Sequence, residues 1–279
     1  MTAAIATKGQ VKGWCPGALR PMQSGDGLIA RVRPRVGMLS LDQARALAGL
    51  AERLGNGHID LTRRANLQIR GLRDEGLAKL QAELDRLGLI DVDAEVEAIR
   101  NIMVAPLCAV GSTPRRVAAD LERALAEDRR LPKLPTKFGL LVDEGGPASL
   151  AHGRADICLR VVEGQVAVGL DSRDGTHWLG ACPPSTAIEI VVRALHTFLD
   201  SDPHRRLRDL PIEDQRKIRS ALLPSLSDLP SFEKTGGRAI GAVQGAVGIA
   251  VPFGRLEAAC LGCLTDLAAD AGATELRLS

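Results

Sequence analysis

Residues 31–62 and 248–279 align without a gap at an offset of 217. Seven positions of these 32-residue windows are identical: Gly37 with Gly254, Leu39 with Leu256, Leu47 with Leu264, Leu50 with Leu267, Ala51 with Ala268, Gly55 with Gly272 and Leu61 with Leu278. Leucine and alanine coincide easily within helices, but here both glycine pairs fall at the turns that flank a helical stretch. We read an internal repeat. Two copies separated by a long insert pack about a pseudo-two-fold axis, each covering apolar surface the other cannot bury alone. Ser279 stands opposite Thr62, whereas the first copy runs on to Arg63, Arg64, Asn66, Gln68 and Arg70. The expectation is that the sequence is cut short or that another chain supplies the rest of the fold.

The local pattern around the repeat is β-α-β-β-α. Leu28 to Val32 predicts a strand ended by the Pro34–Gly37 turn, and Ser40 is the N-cap of a helix that Gly55 stops. His58 to Thr62 and Asn66 to Arg70 predict paired short strands, and Asp74 to Leu87 a second helix. Between the copies, Pro114 to Glu127, Thr186 to Leu199 and Ile212 to Leu222 carry helical spacing. Lys137 to Val142 predicts a strand, and residues 157–162 and 165–170 alternate around Glu163-Gly164 as a hairpin.

With 279 residues and 45% of them hydrophobic, the chain is long enough for two domains. Aromatics are 2% with no tyrosine, so the core is aliphatic and base stacking is not expected. The 36 basic and 34 acidic residues balance too evenly for a polyanion partner, so any anion site must be local. No stretch reaches the roughly 18 apolar residues of a membrane span, and the reading is cytoplasmic. The six cysteines are mostly scattered singly, unlike a secreted disulfide framework.

Four basic segments are placed at or just after predicted strand ends, where side chains from separate segments converge: Arg31-Val-Arg33, Arg63-Arg64, Arg100-Asn101 and Lys137-Phe138. Arginine suits carboxylate binding because its planar fork makes two parallel hydrogen bonds and keeps its charge when partly desolvated. The competing reading is a set of solvated surface arginines.

The segment Thr62-Arg-Arg-Ala-Asn-Leu-Gln-Ile-Arg-Gly71 resembles the T-x-R-x-N-x-Q-x-H-G strand of the sulfite and nitrite reductase superfamily. Arg31-Val-Arg33, Arg100-Asn101-Ile102 with Pro106-Leu107, and Leu134-Pro-Thr-Lys137-Phe138 resemble further segments of that superfamily in the same order. Gly13-Trp-Cys-Pro-Gly17 and Pro21 to Leu28 resemble the opening of precorrin-3B synthases in particular. The implied fold is α+β. It comprises a ferredoxin-like nitrite/sulfite reductase half-domain (13–92), a central α+β tetrapyrrole-binding domain (93–223), a linker (224–237) and a partial second half-domain (238–279).

The resemblance implies that Arg64, Arg100 and Lys137, with Arg31 or Arg33, clamp the carboxylates of an acidic tetrapyrrole. Asn66 and Gln68 would share the ligand-facing side of one strand, and Asn101 accompanies Arg100. The implied reaction is oxygen-dependent hydroxylation of precorrin-3A with lactone formation, with a [4Fe-4S] cluster supplying electrons. Two alternatives are a sirohaem-dependent sulfite or nitrite reductase-like protein and a non-catalytic tetrapyrrole-binding module. Gly139 replaces the second lysine of the usual L-P-x-K-F-K strand and Arg70 replaces the histidine of the T-x-R-x-N-x-Q-x-H-G strand, which puts the reductase reading and the role of Arg70 in doubt.

The relatives' cluster cysteines lie beyond the second repeat, so no cluster is expected within this chain. Cys260 and Cys263 form a C-x-x-C pair, but the repeat sets them opposite Gln43 and Ala46, inside a helix, where they read as small apolar residues. Cys15, beside Pro16, is either packed or a functional thiol. The five histidines lack metal-ligand spacing, and no G-x-G-x-x-G precedes a helix.

Overall fold

A computed structural model of the chain describes residues 15–202, 205–232, 240–243 and 245–279. Gly13, Trp14, His204 and residues 233–237 of the anticipated linker lie outside the described residues.

The first unit contains β1 (Met22–Ser24), β2 (Gly27–Val32), β3 (Met38–Ser40), α1 (Leu41–Leu54), β4 (His58–Leu61), β5 (Leu67–Leu72) and α2 (Asp74–Arg86). Helix α1 starts at Ser40 because its side chain accepts from Gln43 N–H while Gln43 Oε1 accepts from Ser40 N–H, a reciprocal capping box. Ala44, Leu47, Ala48, Leu50 and Ala51 recur on its buried faces. In β5, Leu67 and Ile69 enter the core, so Asn66, Gln68 and Arg70 occupy the opposite, polar face.

The central unit contains α3 (Ala94–Ile99), β6 (Ile102–Val104), α4 (Thr113–Glu127), β7 (Leu140–Asp143), β8 (Ile157–Val162), β9 (Gln165–Ser172), β10 (Gly175–Cys182), α5 (Pro184–Leu199) and α6 (Ile212–Leu222). Its sheet runs β10-β9-β8-β7-β6, with β6, β7 and β8 parallel and the other pairings antiparallel. One face of this sheet forms an aliphatic core with α4 and α5, joined by Phe138 packed on Phe198. Residues 224–232 stay fastened to this unit: Ser227 bridges Ala181, and Phe232 stands edge-on to Trp178.

The last unit contains β11 (Gly241–Val243), β12 (Ala246–Gly248), β13 (Arg255–Glu257), α7 (Ala258–Asp270) and β14 (Glu275–Arg277). The repeat is explicit in the backbone. Val36 and Gly37 have φ of 53° and 70°, and Phe253 and Gly254 have 54° and 69°, the same left-handed turn built twice. A β-branched valine and a phenylalanine held there are sterically costly, which marks the turn as dictated by the fold.

The copies also exchange strands reciprocally. β13 pairs antiparallel with β4, matching Arg255 to Asp60, Leu256 to Ile59 and Glu257 to His58. β14 pairs antiparallel with β3, matching Glu275 to Ser40, Leu276 to Leu39 and Arg277 to Met38. At the offset of 217 these two ladders have one identical register, as a pseudo-two-fold axis requires. Helices α1 and α7 pack together at that axis, burying Leu261 and Thr265 on the α7 side. The resulting five-stranded sheet is ordered β1-β2-β5-β4-β13.

Two local expectations need correction. The strand expected from Lys137 begins only at Leu140, because Phe138 N–H bonds back to Pro135 C=O and closes a turn around Lys137. Arg100 does not follow a strand; it ends the short helix α3 and precedes β6.

Candidate functional site

The polar side of the first sheet meets the central sheet at the end where β7 and β8 begin. The turn between β4 and β5 projects Arg64 across this junction. Thr62 N–H donates to Asn66 C=O at 2.8 Å, and Thr62 Oγ1 accepts from the N–H groups of Arg64 and Asn66. Ala65, with φ of 54°, completes the tight turn. Arg64 Nη2 then donates to Lys137 C=O at 2.6 Å. Burial, aided by neighbouring Arg206, pulls the Arg64 guanidinium below its ordinary pKa, against an opposing pull from Asp156. Cys15, half-buried, also lies within electrostatic reach of Arg64.

Arg31 sits beside Gln68 in the ladder between β2 and β5, and its Nε is buried without a hydrogen-bond partner. Lys137 is exposed on its turn. Among the described residues Arg31, Arg64 and Lys137 form no ion pair with any carboxylate. Asn66 and Gln68 share the face of Arg31.

The other basic residues expected at the site are engaged within the protein. Arg100 is buried and forks onto Asp91, with Nε 2.9 Å from Oδ1 and Nη2 3.1 Å from Oδ2; Nη2 also reaches Arg33 C=O and Nη1 reaches Glu122. Burial pushes the Asp91 carboxyl up, but Arg100 and Arg35 outweigh it and the net pKa falls. Arg70 is fixed by Asp26, Asp60 and Ser24. Asn101 Nδ2 donates to the carbonyls of Ala98 and Thr136, which ties the end of α3 to the segment before Lys137.

Arg33 is intermediate between these classes. It is almost fully buried, and burial lowers its pKa to about 10 while Glu97 opposes. Nη1 lies 3.4 Å from Glu97 Oε1, an ion-pair distance without hydrogen-bond alignment, so Nε and Nη1 remain unpartnered. Glu97 chiefly accepts the N–H groups of Ala18 and Leu19, at 2.6 and 3.0 Å. A Cβ on Gly17 would come within 2.1 Å of that carboxylate, which explains a glycine in the Cys-Pro-Gly turn.

Asp156 and Arg206 belong to this junction and had no motif to announce them. Asp156 is fully buried and accepts from Gly139 N–H, Leu207 N–H and both Nε and Nη2 of Arg206. The only sequence signal was the basic run Arg205-Arg206-Leu207-Arg208, in a loop between helices.

Among the described residues no group of three or more His, Cys, Asp or Glu could hold a metal ion. Cys260 and Cys263 lie inside α7 as the repeat implied, but exposed rather than packed. The residues present therefore do not fit an iron–sulfur cluster. They do fit carboxylates: three cations without acidic partners and unpartnered buried N–H groups on Arg31 and Arg33 surround one junction. A separate hollow of about 270 Å³, lined by residues including Leu141, Cys158, Arg160 and Trp178, is small for a macrocycle with acidic arms. No helix among the described residues is long and apolar enough to cross a membrane.

Comparison with known proteins agrees with this architecture. Residues 20–87 match the nitrite/sulfite reductase ferredoxin-like half domain. The chain is 34% identical over 285 aligned positions to a precorrin-3B synthase of Sinorhizobium sp, covering 96% of this chain and 60% of that protein. It is 32% identical over 142 positions to a ferredoxin–nitrite reductase of Synechococcus elongatus, covering 48% of this chain and 27% of that one. In structure it is similar to the NirA protein of Mycobacterium tuberculosis, with a TM-score of 0.69 and 19% identity, over 90% of this chain and 52% of the other. Over most of its length the chain is thus similar to precorrin-3B synthase, its residues 20–87 match the nitrite/sulfite reductase half-domain, and it spans three-fifths or less of each of these proteins.

Proposed function

We propose that this chain forms the tetrapyrrole-holding portion of a cobalamin-pathway oxidoreductase of the precorrin-3B synthase type. The observation that carries the reading is the contrast between two sets of basic residues. Arg70 and Arg100 are ion-paired with carboxylates of the chain, whereas Arg31, Arg64 and Lys137 form no ion pair among the described residues, the nearby Asp156 being engaged by Arg206. Partly buried guanidinium groups without counter-ions are costly unless an anionic ligand completes them. A uroporphyrinoid offers several carboxylates around a rigid rim. Forked hydrogen bonds to Arg31 and Arg64, with Lys137 as a point charge, would both neutralise the ligand and fix its orientation.

The reaction that fits this class is oxygen-dependent hydroxylation of precorrin-3A with closure of a lactone. One oxygen atom enters the substrate and the other leaves as water, so two electrons must come from a donor. The part assigned to this chain is to bind the substrate, orient it and screen it from water.

The test is titration with uroporphyrin III followed by its visible spectrum. Saturable binding is expected, weakened at least tenfold in Arg64→Ala and in Arg31→Ala but little changed in Arg70→Ala. Absence of a saturable shift, or equal losses in all three variants, would overturn the reading.

A further inference from the structure

Gly139 stands where the superfamily pattern has its second lysine, so the junction is short of one cation by comparison. We propose that Arg206 supplies it and is itself a carboxylate-binding residue of the tetrapyrrole site; this rests on the reading given above.

The geometry starts at Asp156. One of its oxygens, Oδ2, accepts from Gly139 N–H at 2.8 Å and from Arg206 Nη2 at 2.7 Å; the other, Oδ1, accepts from Arg206 Nε at 2.9 Å. A single buried carboxylate thus holds Arg206 and residue 139 side by side. Arg64 arrives from the opposite direction. Its Cζ lies 3.9 Å from the position a Cβ on residue 139 would take, while its Nη2 bonds to Lys137 C=O. The glycine is therefore flanked by two guanidinium groups carried by separate units of the fold.

Charge and hydrogen-bond counting then separate Arg206 from an ordinary structural ion pair. Asp156 lies between two guanidiniums but bonds only that of Arg206, with Asp171 and Asp209 adding to the hold, and Arg64 is left to bond a carbonyl rather than a carboxylate. Arg206 uses Nε and Nη2 on Asp156, and its Nη1 donates to no described residue. Its side chain keeps 21% of its surface exposed, whereas Asp156 is sealed. An arginine fastened by one edge of its fork and open along the other is pre-oriented for a second carboxylate. The ligand class is the carboxylate-rimmed tetrapyrrole, and Arg206 would take an acidic arm next to the one held by Arg64.

The experiment compares uroporphyrin III, with eight carboxylates, and coproporphyrin III, with four, in spectral titrations of the full chain. The paired substitution Asp156→Asn with Arg206→Gln removes both charges, so neither is left buried and unpaired. It should weaken uroporphyrin III binding about tenfold and coproporphyrin III binding less. Adding Gly139→Lys to that pair should restore most of the loss, a rescue that a purely structural role would not give. Unchanged affinity in the folded pair, or no rescue, overturns the proposal while Arg64→Ala still reports on the site as a whole. No binding by the unaltered chain overturns the underlying reading and this proposal with it. If the paired variant does not fold, Arg206→Lys serves instead. It keeps the charge and loses the fork, so affinity should fall several-fold with the thermal midpoint nearly unmoved; a fall in the midpoint with unchanged affinity would make Arg206 purely structural.

Discussion

Helices α1 and α7 occupy equivalent places about one axis, yet their environments differ. Leu50 of α1 is 1% exposed, and its repeat equivalent Leu267 of α7 is 64% exposed. The difference lies in what each helix is given to cover. Strand β5 and helix α2 complete the core around α1, whereas no counterpart of either is present among the described residues beside α7. The shared axis buries Ala44 and Ala48 on one side and Leu261 and Thr265 on the other, so pseudo-symmetry fixes one face of each helix. The other face depends on its own half-domain. An internal repeat therefore predicts backbone pairing well and burial poorly.

The anchors to the central unit differ in the same sense and give the largest expected effect. Arg100 and Asp91 join the first copy to the central unit with both side chains almost sealed, while Arg115 and Glu275 join the second copy with both slightly more open. Arg100→Ala leaves the buried Asp91 carboxylate with only the partly exposed Arg35 as partner and should cost up to about 3–5 kcal/mol in denaturant unfolding. Arg115→Ala should cost less; equal losses would mean that the second copy is as firmly docked as the first.

The helices themselves provide a sharper contrast. Leu47→Ala should cost about 2–5 kcal/mol through the cavity it leaves, and Leu267→Ala should stay within about 0.5 kcal/mol. A comparable loss at Leu267, read from the same denaturation curves, would show that the exposed face of α7 is covered in solution. The mildest effect is on pH dependence. The pKa values of Asp91 and Glu275 are both lowered in the folded chain, burial being outweighed by Arg100 with Arg35 and by Arg115 with Arg277. A depressed carboxyl contributes stability above its unfolded pKa of roughly 4 and loses it as pH falls through the folded value. Unfolding free energy should therefore decline below about pH 4, with a shallower decline in Arg100→Ala. An identical slope in that variant would remove Asp91 from the account.

What the sequence disclosed follows the range of each interaction. The N-cap at Ser40 and the doubled turn at Gly37 and Gly254 depend on neighbours a few residues away and were readable, though the reciprocal bond from Gln43 was not read. The six-residue α3 is too short to display a helical period, and β10, with polar Thr176 and His177, hides its strand character at the sheet edge. At the candidate site, the strand motif pointed to Arg64. It could not show that Arg100 meets Asp91 or that Arg70 meets Asp26 and Asp60, because those partners are fixed by the tertiary fold. Arg206 was silent for the same reason, its link to Gly139 running through Asp156, 50 residues earlier in the chain.

The reciprocal pairing of β13 with β4 and of β14 with β3 has a consequence for synthesis. On the ribosome, β3 and β4 emerge about 200 residues before their partners, a delay of roughly 10–40 s at 5–20 residues per second. During that interval β4 presents an open strand edge, and the central unit has time to fold first as a loop held between waiting ends. Ile59 and Leu61 of that nascent edge thus wait for the cover that β13 later gives them.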